Sequence, residues 1–120
     1  MAYDERLAER VRTELSGVAG VTERKMMGGL CFMVDGHMCG GIDQSDLFVR
    51  MDRARVEAAL RRKHARVFKV GGKTTAGFVR VLGVGIKDAR SLRSWLNPAV
   101  EWAGSLPPKK KRSPKKSEKN

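Results

Sequence analysis

The chain has 120 residues, of which 41% are hydrophobic and 32% charged, a size and composition that suit one folded domain better than two. Its 25 Lys and Arg against 13 Asp and Glu give a net charge of +12, which favours anionic partners such as DNA or RNA. The acidic opening MAYDERLAERV is unlike a basic export signal, no apolar run approaches the roughly 18 residues that span a bilayer, and two cysteines are too few to staple a secreted scaffold. The expectation is a cytoplasmic protein with reduced thiols and no membrane partner.

Residues 4–16 place Leu7, Val11 and Leu15 four apart with Ala8 beside them, which predicts an amphipathic helix capped by Asp4 and stopped at Ser16-Gly17. Strand-like runs follow at 21–27, 30–34, 37–42 and 47–51, the first weakened by the charged Glu23-Arg24-Lys25. Asp35-Gly36 predicts a two-residue type I′ hairpin turn, because both positions need positive φ, and Gln44-Ser45-Asp46 reads as the next turn. The middle of the chain is thus an antiparallel meander. Residues 53–63 return to helical spacing, with Val56, Ala59 and Leu60 on one side and Asp52 as the cap. Two more strands are expected at 67–70 and 78–82, joined through the segment Gly71 to Thr75. A last helix begins near Asp88, with Leu92, Trp95, Leu96, Ala99, Trp102 and Ala103 in phase and both tryptophans against the sheet. Pro98 after Asn97 predicts a kink or break in it. The order α-β-β-β-β-α-β-β-α predicts an α+β fold of two layers, an antiparallel sheet with helices packed on one face.

The positive charge is concentrated in two places. From Gly104 the composition turns to Pro, Ser and Lys with seven basic residues and one acidic, so residues 107–120 read as a disordered lysine-rich tail and residues 1–106 as the domain. Lys109, Lys110, Lys111, Arg112, Lys115 and Lys116 of the tail are candidate phosphate contacts; an import signal and a merely solubilising end are the other accounts of it. Within the domain, Arg50, Arg53, Arg55, Arg61, Arg62, Lys63, Arg66 and Lys69 stand against only Asp52 and Glu57, and form the candidate basic patch.

Residues 25–41, KMMGGLCFMVDGHMCGG, hold four methionines with Cys31, His37 and Cys39, a donor set that would suit Cu(I) or zinc. A two-residue loop at Asp35-Gly36 sets Val34 opposite His37, Met33 opposite Met38 and Phe32 opposite Cys39, which sends the thiols to opposite faces and favours a buried strand pair. Gly72-Lys73-Thr74 resembles the end of a phosphate loop, but Val67 stands where the motif needs its first Gly and a strand follows in place of a helix. The four turn or cap aspartates Asp35, Asp43, Asp46 and Asp52 offer no paired carboxylates in a cleft, and neither cysteine has an acid and oxyanion constellation around it. No cofactor is called for, and the chain is not expected to be an enzyme.

The run Lys25-Met26-Met27-Gly28-Gly29-Leu30, followed by an apolar strand, an Asp-Gly turn and Met38, resembles the signature of the TfoX N-terminal domain family, with Lys25, Met26, Gly28 and Gly29 in place and Met27 where members carry an aromatic. YDERLAERVR, Leu47 to Arg50, Gly71 to Val79 and Trp95 to Pro107 are similar in the same order, so the resemblance covers about residues 1–107. It implies a two-layer α/β domain, a regulatory role in transcription of the competence kind with a protein partner there, and no catalytic residues. The leading expectation is a small non-enzymatic regulatory or accessory protein contacting nucleic acid through the basic patch and tail. The alternatives are a protein-interaction module, dimeric in one version, and a metal-binding or thiol-redox protein.

Overall fold

The computed structural model describes residues 3–26 and 28–107. Met27 and the tail candidates from Lys109 on lie outside the described residues. Asp4 accepts hydrogen bonds from the backbone N–H of Arg6 (2.8 Å) and Leu7 (3.3 Å) and so starts α1, Glu5–Glu14, as its cap position requires. Four strands follow: β1 Val21–Met26, β2 Gly29–Val34, β3 His37–Asp43 and β4 Asp46–Arg50. Then come α2 Arg53–Leu60, β5 Ala65–Val70, β6 Lys73–Val81, a 3-10 turn at Gly83–Ile86 and α3 Ala89–Ser105. The fold is α+β, with the expected element order and a six-stranded antiparallel sheet.

Asp35 (φ 52°) and Gly36 (φ 86°) make the type I′ turn, and Val34 pairs with His37 and Met33 with Met38 as the turn length dictates. Beyond that the register slips by one. Phe32 pairs with Gly40 and not with Cys39, because a bulge between Phe32 and Met33 inserts Cys39 as an extra residue. Cys39 still faces the helices with Phe32.

The strand order is β1-β2-β3-β4-β6-β5. α2 carries the chain past β4's open side to the far edge, and the β5–β6 hairpin then folds β6 back against β4. Burial explains the choice: β6 contributes Val79 and Val81, both fully buried, whereas β5 exposes Val67 and Val70 and carries Arg66 and Lys69, side chains an edge strand tolerates. The hairpin is tighter than expected. Gly71 (φ 60°) and Gly72 (φ 81°) form a two-residue turn, so β6 starts at Lys73 and not at residue 78; its exposed first half has no apolar alternation to announce it.

One core lies between the sheet and the helices. Leu7, Val11 and Leu15 from the α1 region and Leu92, Trp95, Leu96, Ala99 and Ala103 from α3 meet Phe32, Ile42, Leu47, Val49 and Val81 from the sheet. α2 buries no residue fully and ends at Leu60, short of the expected residue 63, and His64 turns the chain with φ 71°. Of the kink or break expected at Pro98, the break is absent: α3 runs through it. An interior proline costs about 3 kcal/mol, and the burial of Trp95 and Leu96 on one side of it and Ala99 and Ala103 on the other holds the helix together while exposed Pro98 faces solvent. Among the described residues no helix is long and apolar enough to cross a membrane.

Candidate nucleic-acid interface

The eight basic residues of the patch separate into two groups. Arg53 and Arg55 stand exposed on the first turn of α2, which Asp52 caps by accepting from Ala54 N–H at 3.0 Å. Lys63, Arg66 and Lys69 continue the exposed surface through the turn and along β5. Arg61 approaches Glu57 only at 4.0 Å with both side chains mostly in solvent, a pair that contributes little and leaves the guanidinium accessible.

Arg50 and Arg62 are engaged otherwise. The Arg62 guanidinium lies 3.7 Å from the Trp95 ring centroid and donates to Ser94 Oγ at 2.8 Å, and desolvation there lowers its pKa from the ordinary value. It ties the end of α2 to α3. Arg50 lies 5.0 Å from the ring centroid of Trp102, which is half-buried where Trp95 is buried. Between α2 and α3 a groove of about 680 Å³ is lined by Ala58, Ala59, Arg62, Trp95, Pro98 and Trp102.

Arg24 was not among the sequence candidates, yet it joins Arg50 and Arg53 around a second concavity of about 660 Å³. A single arginine in a weak strand carries no signal until the sheet places it. Arg80 also has a role only the fold reveals. It pairs with Asp43 and Asp46 at 2.9 Å each, and Asp46 accepts from Gly83 N–H at 2.8 Å, so this arginine clamps the β3–β4 turn to β6 and is not free for a ligand.

Cys31, His37 and Cys39 do not come together. Cys31 packs on the helix-free face with Phe48 and Phe68, Cys39 in the main core, and His37 donates from Nε2 to the carbonyl of Pro107. Cys39 donates to the Phe32 carbonyl at 3.5 Å. Burial pushes both thiols up to about 11 from 9.0. Among the described residues no group of three or more His, Cys, Asp or Glu is placed to hold a metal ion. Since the thiolate is the reactive form, the native protein should resist iodoacetamide at about pH 8 and label at both cysteines only in denaturant, as read by intact mass. Rapid native labelling would contradict the burial. The same shift has a sign for stability. The unfolded thiols ionise first, so their contribution is complete below pH 9.0 and is lost as pH rises toward about 11.

The family model of the TfoX N-terminal domain matches residues 13–103. The chain belongs to the TfoX N-terminal domain family. No curated protein and no solved structure matches it. In this TfoX N-terminal domain the signature residues sit on the β1–β2 hairpin, with Lys25 opposite Leu30 and Met26 opposite Gly29. Gly28 adopts φ 75°, and a Cβ on Gly29 would run into the Ile42 carbonyl of β3. The two glycines of the TfoX signature are therefore backbone requirements, Gly28 for its left-handed φ and Gly29 for its close approach to β3, while Met26 lines the concavity beside Arg24.

Proposed function

We propose that this TfoX N-terminal domain protein is a small non-enzymatic regulatory or accessory protein that contacts nucleic acid along the edge formed by α2 and β5. The observation that carries the reading is that Arg53, Arg55, Lys63, Arg66 and Lys69 are all exposed on one helix–turn–strand segment in which Glu57 is the exposed acid besides the Asp52 cap. Such a set releases counterions from a phosphate backbone, and the basic residues of the tail add to it. Contacts of this kind position a protein on nucleic acid without reading bases.

Binding of duplex DNA and of RNA across a salt series tests it, with the intact chain, with a chain ending at Pro107, and with Arg53→Glu/Arg55→Glu/Lys63→Glu. The intact chain should lose about 10³-fold in affinity between about 50 and 200 mM salt, and the triple variant should bind more weakly at every salt concentration. Absence of binding at low salt by the intact chain ends the reading. Binding that vanishes with the tail and ignores the triple variant transfers it to the tail alone.

A further inference from the structure

The face of the sheet turned away from the helices is apolar at its centre. Cys31, Phe48 and Phe68 are 0%, 2% and 4% exposed there, and half-buried Met26, Met33, Met38 and Phe78 pack over them. Among the described residues no helical side chain joins this cluster. An antiparallel sheet with one free face ordinarily covers it with polar side chains. Three methionines and a phenylalanine in their place make a surface that favours apolar company, and the unbranched thioether chain adapts to partners of irregular shape.

The rim of this surface is basic. Arg24, Arg50 and Arg53 border its concavity, while the nearby carboxylates are engaged within the fold: Asp52 at the start of α2, and Asp43 and Asp46 with Arg80. We propose that this face docks an acidic amphipathic segment of a partner protein, its apolar side chains seated on Met26, Met33, Met38 and Phe78 and its carboxylates reaching Arg24, Arg50 and Arg53.

Charge complementarity selects this occupant. A second copy joined face to face about a two-fold axis would set the same arginines against one another, in a chain whose net charge is already +12. Nucleic acid would satisfy the arginines, but Phe48 and Phe68 stack on each other at 4.5 Å and are buried, so its bases would meet only half-buried Phe78 and Trp102 beside the three methionines. Arg53 borders both this face and the proposed nucleic-acid edge; Arg24 and Arg50 belong to this face.

The test uses the full chain with 13C-methyl methionine at about 150 mM salt. The probes are three helical peptides that share a Leu/Phe stripe at i, i+3, i+4 and i+7 and carry Glu, Gln or Lys at every polar position. The Glu peptide should bind at least about tenfold tighter than the Gln peptide, the Lys peptide should not bind, and the methyl signals of Met26, Met33 and Met38 should move. Met33→Glu should abolish those shifts and Arg24→Glu weaken binding about tenfold. Since the basic tail attracts any acidic peptide, the methyl shifts of the unaltered chain assign the site, and they stand even where a variant folds poorly. The proposal is overturned if no peptide binds, if the Lys peptide binds as well as the Glu peptide, or if the Glu peptide binds with those methyl signals unmoved. It is equally overturned if a single-stranded oligonucleotide moves them and the Glu peptide does not, or if the free protein sediments as a dimer that Met33→Glu dissociates.

Discussion

Phe48→Ala is expected to destabilise the domain by about 3–5 kcal/mol, the range for removing a buried aromatic ring and leaving its cavity. Phe48 is 2% exposed, stacks on Phe68 with an interplanar angle of 16°, and lies 6.1 Å from Phe78 between ring centroids. A Cβ on Gly41 would strike the Phe48 ring, so β3 is kept bare to receive it. Such a loss is a large part of the roughly 5–15 kcal/mol that holds a domain of ordinary stability. Phe78→Ala, which removes a half-exposed ring from the same cluster, should cost only about 1–2 kcal/mol. Urea unfolding with an unchanged m-value measures both. If Phe78→Ala proved the more damaging, the helix-free face would have no core of its own.

Gly29→Ala should cost about 2–3 kcal/mol, while Gly28→Ala next to it should cost about 1 kcal/mol. The two glycines of the family signature serve different physical ends. At Gly29 the added methyl meets the backbone carbonyl of Ile42, which cannot swing aside as a side chain would, so β2 and β3 must separate. At Gly28 nothing lies within 4 Å of the added carbon, and only the left-handed φ of 75° opposes substitution. Thermal unfolding of the two variants separates collision from backbone strain. Equal losses would mean that the hairpin yields at Gly29 without disturbing β3.

The sequence carries much of this hairpin. Asp35-Gly36 states the turn, the turn length sets the first two cross-strand pairs, and the alternation of side chains sends Cys31 and Cys39 to opposite faces. What local pattern does not carry is the bulge at Cys39, because it answers to Gly40 and Gly41, where a Cβ would collide with the backbone of β4 and of β2 respectively. Pro98 misleads for a related reason: its local preference for a break is outweighed by tertiary burial on either side of it. The candidate interface was half legible. A run of basic residues is visible as a run, but its division into exposed side chains and ones stacked on Trp95 and Trp102 depends on where α3 lies, and Arg24 joins the group only through the sheet.

Periodicity and turn chemistry by themselves determined the element order, the α+β class and the hairpin, since each rests on contacts between near neighbours in the chain, while the run from Lys25 to Leu30 carried the resemblance to the family. Tertiary structure alone decided that β6 lies inside β5, that one face of the sheet keeps its methionines and Phe78 half exposed, and that Arg80 is a clamp. Those outcomes depend on which distant surfaces meet, and the free energy of that meeting is written in no single segment.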